Sequence, residues 1–434
     1  MSTTIYKQQM KNSLYNIFYR QAECFYVYNQ VSSALIKVDE ELWGNLPLNK
    51  LNEIDSDTKS QLKEMGFICD KSLDESDVIV AKNKYNRYSN NTIRMTIMPT
   101  LSCNFRCWYC YETHEKGIMS KENVLSIIKF AETTIKEHRP KAFILDWFGG
   151  EPLMCFKNHV YIISKEIKQI CIDNNIRFKN MITTNGYYIT EEMLKQLKEI
   201  SLTNYQITLD GAKQFHNITR FSNNENNSFD KIVKNMILLC ENIPNINMTL
   251  RINYTKDNLN TVEEIIDSFP KHIRSRINVT MQVVWQQKKE LNNAIKLVEQ
   301  KFDLFKNAGF KVNRDTYHSY STMACYTENM QQYVINYDMN IYKCTARDFS
   351  NKAFSIGHID DNGKFIPSPF YYKYYASKAG FENEQCLKCE YLPSCKCMCI
   401  QKVLEKNKNE CNKEQIREAL IYRIRNLVNE RKES

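Results

Sequence analysis

The chain has 434 residues, of which 43% are hydrophobic and 25% charged, and its formal net charge is +9. No apolar run reaches the roughly 18 residues that a membrane-spanning helix needs, and no secretory signal is recognised at the N-terminus. Composition therefore excludes the membrane and secreted classes and predicts a cytoplasmic protein. Lys and Arg are spread along the chain without a basic block, so nucleic-acid binding is not indicated.

The first ninety or so residues predict a small module of strands and helices. Short apolar runs that alternate aromatic and aliphatic residues favour strands, and capped amphipathic runs favour helices. Strands are predicted over 17–19, 24–28 and 34–38, and helices over 39–43 and 57–65. Residues 82–91 are polar without periodicity, which predicts a linker.

From residue 92 onward, short apolar runs alternate with amphipathic segments of helical length. Strands are predicted over 92–98, 142–148, 180–184, 205–209, 248–254 and 278–284. Helices are predicted over 121–137, 160–173, 191–200, 229–240, 261–269 and 291–306. Six such repeats indicate an α/β fold with a parallel sheet, either closed or stopping as a partial barrel. Ligands are expected at the carboxyl ends of its strands.

After about residue 309 the helical periodicity fades and cysteines become frequent. Eight of the chain's 16 cysteines lie between Cys325 and Cys411. In a chain without a secretion signal, this distribution favours metal sites over disulfides. Helical periodicity returns over 413–431, which predicts a terminal helix.

A separate group of cysteines, Cys103, Cys107 and Cys110, is spaced C-x3-C-x2-C in the loop after the strand predicted over 92–98. Three thiolates can hold three irons of a 4Fe–4S cluster and leave the fourth iron open to a ligand. The alternative is a structural zinc loop, for which His114 would supply the fourth ligand. The aromatic pair before Cys110 favours a cluster beside a stacked purine.

This motif resembles the radical S-adenosylmethionine (SAM) enzymes, as does the Gly-Gly-Glu-Pro run 149–152 at the end of the second predicted strand. Two glycines let backbone approach a ligand, and a carboxylate accepts from an ammonium group. The resemblance implies a partial (β/α)6 barrel that binds SAM and a 4Fe–4S cluster. The SAM contacts that it implies are Tyr109, Gly149, Gly150, Glu151, Asn185, Thr208, Asp210 and Arg220.

The C-terminal cysteines resemble the SPASM extension of radical SAM enzymes that modify peptides. The resemblance implies two auxiliary 4Fe–4S clusters, and so three clusters in all. The first auxiliary cluster would be held by Cys325, Cys344 and Cys399, and the second by Cys386, Cys389, Cys395 and Cys411. The alternative is a pair of zinc knuckles, in which C-x2-C also recurs.

Two positions depart from the SPASM pattern. The family has a glycine where this chain has Met339, so we expect the turn to be made otherwise, with Asn340 adopting positive φ. Cys397 stands where relatives have a small residue. It either closes the first auxiliary cluster or remains an unligated thiol, and its short spacing from Cys399 favours the second alternative.

The resemblance implies three domains. Residues 1–91 would form a winged-helix-like peptide-recognition domain with its linker, 92–308 the radical SAM core, and 309–434 the SPASM domain with the terminal helix. The first of these resembles domains that capture a leader peptide on a sheet edge. A degenerate module that only packs against the core is the alternative.

The resemblance implies a maturase that uses a 5′-deoxyadenosyl radical to abstract hydrogen from a ribosomally made precursor peptide. Thioether or carbon–carbon crosslinking and epimerisation are the reactions expected, with flavodoxin or ferredoxin as the reductant. One alternative is an anaerobic sulfatase-maturing oxidase of a protein Cys or Ser. Such enzymes carry an Asp base where this chain has Thr345, and the nearest acid in this chain is Asp348. Another alternative is a non-catalytic iron–sulfur protein.

Overall fold

The computed structural model describes residues 9–221, 227–287, 294–314, 325–395, 399–406, 411 and 413–433. The chain divides into two compact units. The first, called the N-terminal unit, comprises residues 1–88, 315–329 and 376–434; the second, the sheet unit, comprises 89–314 and 330–375. Within the described ranges, no helix combines the length and apolar character needed to cross a membrane.

Strands and helices are numbered in chain order. The strands are β1 (Met10–Asn12), β2 (Asn16–Gln21), β3 (Cys24–Asn29), β4 (Leu35–Val38), β5 (Ile68–Asp70), β6 (Thr92–Ile97), β7 (Ala142–Trp147), β8 (Arg177–Thr184), β9 (Leu202–Leu209), β10 (Asn247–Tyr254), β11 (Ile277–Val283), β12 (Lys311–Val312), β13 (Gln332–Ile335), β14 (Asn340–Tyr342), β15 (Gly357–Ile359) and β16 (Phe365–Pro367). The α-helices are α1 (Glu40–Asn45), α2 (Ser56–Glu64), α3 (Glu75–Arg87), α4 (Lys121–His138), α5 (Ile162–Asp173), α6 (Leu194–Glu199), α7 (Lys213–Thr219), α8 (Ser228–Asn242), α9 (Lys271–Arg274), α10 (Ile295–Asn307), α11 (Pro369–Tyr375), α12 (Glu384–Leu387), α13 (Leu392–Cys395), α14 (Ile400–Lys406) and α15 (Lys413–Glu433).

The N-terminal unit is built on the antiparallel sheet β2-β3-β4. One face of this sheet packs against α15 in a core cluster that includes Tyr28, Leu420, Ile424 and Val428. The other face packs on a second core cluster, which includes Val27 and residues of the α1–α2 region. The terminal helix therefore belongs to the same core as the first strands of the chain.

The predicted linker over 82–91 is wrong for its first half, because α3 continues to Arg87. The buried face of this part of α3 carries polar side chains, so the sequence shows no apolar periodicity there. Asn83 donates to Glu328 at 2.9 Å, and Arg87 pairs with Glu382 at 3.5 Å. Both Asn83 and Arg87 are 2% exposed.

The sheet unit confirms the α/β prediction. Strands β6 to β12 are parallel and follow one another in order. On its other side β6 pairs in parallel with β13, from which β14, β15 and β16 continue as an antiparallel meander. The six predicted strands are therefore part of a longer, mostly parallel open sheet, and their carboxyl ends lie along one edge.

The turn before β14 corrects one expectation. Met339 itself adopts positive φ, at 67°, and Asn340 is already in the strand. The Asp338 carboxylate accepts from the Asn340 backbone amide at 3.2 Å and from its side-chain amide at 2.8 Å, which holds Asn340 extended. Met339 is buried in the core of the sheet unit, so packing offsets its backbone strain.

Candidate functional site

The three-cysteine loop follows β6 at the carboxyl edge of the sheet. Cys103 and Cys107 are partly buried and Cys110 is exposed. The Phe105 amide donates to the Cys103 sulfur at 3.4 Å, and the Cys110 amide donates to the Cys107 carbonyl at 3.0 Å. Hydrogen bonds within the loop thus shape it and leave Cys110 as its most exposed thiol.

The pKa of each thiol in this loop is raised, chiefly by burial. Burial raises the pKa of Cys103 to about 12 and that of Cys110 to about 11, and the charge of Cys107 adds to both shifts. Without a metal the thiols stay protonated, so cluster binding would release protons. Across the described residues, no three His, Cys, Asp or Glu side chains are arranged as ligands of a single metal ion. A 4Fe–4S cluster instead spreads its thiolates over separate irons.

The glycines of the loop 149–152 make room for the cysteine loop. A Cβ on Gly149 would lie 2.4 Å from the Thr100 carbonyl oxygen, and one on Gly150 would lie 2.2 Å from that of Ser102. Gly149 also has a φ of +106°. These two glycines therefore allow the loops after β6 and β7 to cross at backbone contact.

Glu151 is fully buried, and its carboxylate accepts three hydrogen bonds from the chain itself. Oε1 accepts from the Leu153 amide at 2.9 Å and the Thr184 hydroxyl at 2.6 Å, and Oε2 accepts from the Asn185 amide at 2.7 Å. Burial raises the pKa of Glu151, against the opposing effect of these hydrogen bonds. Glu151 ties the loop after β7 to the end of β8.

Tyr109 lies at the centre of a polar network formed by the loop and the ends of β9 and β10. Its hydroxyl donates to Asp210 Oδ2 at 2.6 Å. It also accepts from Arg220 at 2.8 Å and from Asn253 at 3.2 Å. Asp210, Arg220 and Asn253 are all buried.

Two atoms of this network have unused hydrogen-bonding capacity. Asp210 Oδ1 and Arg220 Nε are buried without a hydrogen-bond partner within the described part of the chain. Burial raises the pKa of Asp210 to about 6, while the charge of Arg220 lowers it. SAM carries hydroxyl and ammonium donors and a carboxylate acceptor, which are the groups that an unpaired carboxylate oxygen and guanidinium N–H would bind. These residues fit SAM.

The other residues expected to bind SAM lie at the same edge. The Asn185 side chain donates to Asn104 at 2.8 Å and to the Cys103 sulfur at 3.9 Å, so it also supports the cysteine loop. Thr208 is buried in β9 and pairs in register with Arg251 of β10. These side-chain contacts depend on strand register, which the sequence motifs did not reveal.

Sequence reasoning missed a set of contacts just beyond Cys110. Tyr111 stacks on Trp285, with ring centroids 5.2 Å apart, and its hydroxyl donates to the Thr345 carbonyl at 3.0 Å. Glu112 is buried, and burial together with the charge of Asp348 raises its pKa to about 8. No periodic signal marks these residues, and only their proximity in sequence to Cys110 could have suggested them.

Asp348 is held by neighbouring polar groups. It accepts from the Thr113 hydroxyl and from the Ser350 amide. Burial works to raise the pKa of Asp348, but these hydrogen bonds outweigh it and lower the pKa.

The second cysteine series lies mainly in the N-terminal unit, which contains Cys325, Cys386, Cys389, Cys395, Cys399 and Cys411. The Cys389 amide donates to the Cys386 carbonyl at 3.0 Å. Burial raises the pKa of Cys389, and the charges of Cys386 and Cys411 add to the shift. Cys389 and Cys395 both pack on the cluster between α15 and the antiparallel sheet.

Two predictions about the first auxiliary cluster are not tested by these contacts. Cys344 belongs to the sheet unit and follows β14. Cys397 lies outside the described residues. The cysteine sets for both auxiliary clusters stay predictions.

The chain is similar to radical SAM proteins in sequence. The sequence model of the radical SAM superfamily matches residues 97–269. The radical SAM cyclopropyl synthase TigE of Paramaledivibacter caminithermalis is 23% identical over 447 residues, which cover 91% of this chain and 90% of that protein. The cysteine-type anaerobic sulfatase-maturating enzyme of Clostridium novyi is 30% identical over 161 residues, covering 34% of this chain and 40% of that enzyme.

Solved structures share the fold. The structure of anSMEcpe with bound AdoMet and Cp18Cys peptide has a TM-score of 0.55 and 18% identity, covering 78% of this chain and 99% of that one. The structure of SuiB of Streptococcus suis bound to S-adenosylmethionine has a TM-score of 0.50 and 17% identity, and the match covers 92% of this chain and 97% of that one. With the superfamily match and the arrangement of the cysteine loop and Tyr109 network, these findings show that the chain contains a radical SAM domain.

Proposed function

We propose that the chain is a radical SAM maturase that modifies a ribosomally made precursor peptide. The observation that extends the radical SAM assignment over most of the chain is the match to cyclopropyl synthase TigE, and the peptide bound to the fold relative anSMEcpe supports a peptide substrate. The TigE match covers 91% of the chain and so extends beyond the radical SAM domain on both sides, whereas the match to the sulfatase-maturating enzyme covers 34%. The activity of TigE, formation of a cyclopropyl group, favours carbon–carbon bond formation among the reactions expected.

Each part of the candidate site has a role in this proposal. A reduced 4Fe–4S cluster, when bound, supplies the electron that splits SAM into methionine and a 5′-deoxyadenosyl radical, which takes hydrogen from the substrate. Cys103, Cys107 and Cys110 would hold this cluster with one iron open. Arg220 and Asp210 would orient the charged and hydroxyl groups of SAM, and their burial would keep water from the radical.

Peptide recognition is assigned to the sheet β2-β3-β4. Its outer strands, β2 and β4, offer main-chain groups with which an extended leader peptide would pair. The fold relative anSMEcpe binds a peptide together with AdoMet, which supports a peptide substrate for this chain. Two auxiliary clusters in the C-terminal cysteines and a flavodoxin or ferredoxin reductant complete the proposal.

The sulfatase-maturing alternative is less well supported. Thr345 stands where those enzymes carry an Asp base, and the nearest acid in the sequence, Asp348, accepts hydrogen bonds from Thr113 and Ser350. The buried atoms of Asp210 and Arg220 that fit SAM also argue against a non-catalytic iron–sulfur protein.

A competition assay tests the proposal. The anaerobically reconstituted protein is reduced with dithionite and given SAM, a candidate precursor peptide sought among short open reading frames beside its gene, and a sulfatase peptide with the target Cys. Mass spectrometry is expected to show modification of the encoded peptide alone. Oxidation of the sulfatase Cys would favour the alternative, and a protein that leaves SAM intact under these conditions would contradict both.

A further inference from the structure

The face of the sheet that lies opposite its apolar core is polar where β9, β10 and β11 run side by side. In β10, Leu250 and Ile252 belong to the core, and Arg251 between them points to the other face. Its register neighbours on that face are Thr208 of β9 and Thr280 of β11. A long polar side chain near the carboxyl ends of parallel strands is placed where such sheets bind ligands.

The residues expected to bind SAM leave this part of the sheet to another ligand. They come from the cysteine loop and from segments at and after β7, β8 and β9, and include Glu151, Asn185 and Asp210. Neither β10 nor β11 contributes one of them. A radical takes hydrogen only from an atom in contact with it, so the substrate must lie beside SAM. Because β10 and β11 follow β9 in the sheet, their carboxyl ends are available to the substrate.

The guanidinium group of Arg251 is fixed at one end and unpaired at the other. Its Nε donates to Asn253 Oδ1 at 2.9 Å, and Asn253 Nδ2 donates to the Tyr109 hydroxyl at 3.2 Å. Nη1 and Nη2 have no hydrogen bond or ion pair with any residue that the structure describes. The residue is only partly buried. Such a guanidinium, one residue away from the Tyr109 network, is suited to a carboxylate that arrives with the substrate.

An aromatic surface follows the end of β11. Trp285 is 55% exposed, and one face of its indole ring stacks on Tyr111, with ring centroids 5.2 Å apart. The neighbouring Gln286 donates from Nε2 to the Tyr109 carbonyl at 3.2 Å. Tyr109 and Tyr111 stand on either side of Cys110, so the turn that carries Trp285 is held against the cysteine loop. A fixed indole ring with this much exposed surface is suited to pack on a ligand.

We propose that Arg251 and Trp285 position the peptide substrate beside the radical, Arg251 by binding a carboxylate of the peptide and Trp285 by packing on an apolar side chain near it. The inference rests on the proposed function, because it specifies which peptides that function accepts. A guanidinium pairs with a carboxylate through two parallel hydrogen bonds, which fix orientation as well as affinity. The carboxylate belongs to an Asp or Glu side chain or to the C-terminus of the peptide.

Peptide binding to the full reconstituted chain tests this assignment. The peptide is a candidate precursor that the wild type modifies, and calorimetry is done with SAM present and the cluster oxidised, so that no SAM is cleaved. Arg251→Gln should weaken peptide binding by about tenfold or more, because a charge-assisted pair is lost. Arg251→Lys keeps the charge without the planar fork and should lose less. Trp285→Ala should also weaken binding, and Trp285→Phe should restore part of the loss.

Changes on the peptide separate the two sources of the carboxylate. Each Asp and Glu is replaced singly by Asn or Gln, and one further peptide carries an amidated C-terminus. One of these changes should weaken binding to the wild type about as much as Arg251→Gln does, and should cause no further loss in the Arg251→Gln variant. A side-chain change with this behaviour assigns the carboxylate to that residue, and the amidated peptide assigns it to the C-terminus.

Two exposed residues of the same unit provide matched controls. Arg177→Gln removes an exposed arginine at the start of β8, and Tyr372→Ala removes an aromatic ring that is 62% exposed in α11. Neither change should alter the affinity for the peptide. SAM affinity is measured without peptide, should be unchanged in every variant, and shows that each variant is folded.

The outcomes separate this inference from the function on which it rests. Unchanged peptide affinity in Arg251→Gln or Trp285→Ala, or losses that add with every change on the peptide, would overturn the inference alone. A fall in SAM affinity beside unchanged peptide affinity would assign Arg251 to SAM and also overturn it. If mass spectrometry shows that the wild type modifies none of the candidate peptides, the proposed function fails and this inference with it.

Discussion

At the scale of single residues, the site depends on one hydroxyl group that connects polar side chains from several parts of the chain. Tyr109 reaches Asp210, Arg220 and Asn253 from the loop that also carries the cluster cysteines. A ligand that binds Asp210 and Arg220 is thereby coupled to the position of Cys107 and Cys110, on either side of Tyr109. The network also has a measurable pH dependence, because the pKa of Asp210 is raised to about 6.

Asp210→Asn should change how stability depends on pH. Burial raises the pKa of Asp210 from 3.8 to about 6, so the folded state holds its proton more tightly than the unfolded state. The stability that this provides is complete below the unfolded pKa and is lost as pH rises through about 6. The Asn variant has no such loss. Its free energy of unfolding relative to wild type should therefore rise by about 2 kcal/mol from pH 4 to pH 7.

Urea unfolding of the metal-free wild type and of the metal-free Asp210→Asn variant at several pH values measures this difference. Other titrating groups affect both proteins, so their contributions largely cancel. A difference that stays constant between pH 4 and pH 7, or that falls, would contradict the raised pKa of Asp210.

Glu151→Gln tests the carboxylate at the end of β7. An amide NH₂ would face the backbone N–H of Leu153 or of Asn185, which can only donate, and leave a buried group unpaired. We expect the free energy of unfolding to fall by about 1–3 kcal/mol. SAM affinity should weaken by about tenfold or more, with the iron content intact.

Glu199→Gln is the matched control, because the Glu199 side chain is 41% exposed in its ion pair with Lys165. It should change stability little, because exposed ion pairs contribute little to folding. A Glu151 variant as stable as this control, with unchanged SAM affinity, would remove Glu151 from the site.

The roles of these residues show where sequence reasoning ends. The Gly-Gly-Glu-Pro motif identified Glu151 and the two glycines, and the chemistry of these residues predicted direct contact with a ligand. The structure adds that Glu151 binds Thr184 and Asn185, and that the glycines admit the backbone of residues 100–102. These contacts join residues that are distant in the sequence, and they form because particular loops cross. No pattern in a single sequence shows which loops cross.

At the scale of elements, α15 shares a hydrophobic core with the N-terminal strands β2, β3 and β4. Its buried residues Leu420, Ile424 and Val428 pack on the face of β2-β3-β4, and Arg431 donates to the Leu35 carbonyl at 2.8 Å. Deleting residues 1–91 would uncover this helix, and deleting α15 would uncover the sheet. Either deletion exposes an apolar surface, so a point substitution is the better test of the module.

Leu420→Ala should lower the free energy of unfolding by about 2–5 kcal/mol, because it leaves a cavity in a shared core. Leu420 is 0% exposed, whereas the side chain of Arg417 on the same helix is 62% exposed. Arg417→Ala is therefore the control and should change stability by less than about 0.5 kcal/mol. Equal effects in urea unfolding would show that α15 does not pack on the sheet.

Elements with clear periodicity were predicted well. The six strands from β6 to β11 match the apolar runs to within a few residues, as does α4. Residues 82–87 of α3 were missed because Asn83 and Arg87, not apolar side chains, form the buried face. Asn340 was expected to adopt positive φ in the turn before β14, but Met339 adopts it instead, and its burial in the core offsets the strain.

At the scale of the whole molecule, the proposal fixes the iron content. Three 4Fe–4S clusters require about twelve irons per chain after anaerobic reconstitution. Replacing Cys103, Cys107 and Cys110 together by Ala should leave about eight irons and abolish SAM cleavage. Replacing the buried cysteines Cys171 and Cys240, which lie outside both series, should leave the iron content unchanged. SAM cleavage by the triple variant would refute the assignment of the radical cluster.

In the proposed function, a radical formed from SAM takes hydrogen from a peptide. The most direct measurement uses the full reconstituted chain, SAM, dithionite and the candidate precursor peptide synthesised with deuterated residues. Mass spectrometry then locates the label. We expect deuterium in 5′-deoxyadenosine, formed together with the modified peptide. Unlabelled 5′-deoxyadenosine beside an unmodified peptide would contradict the proposed function.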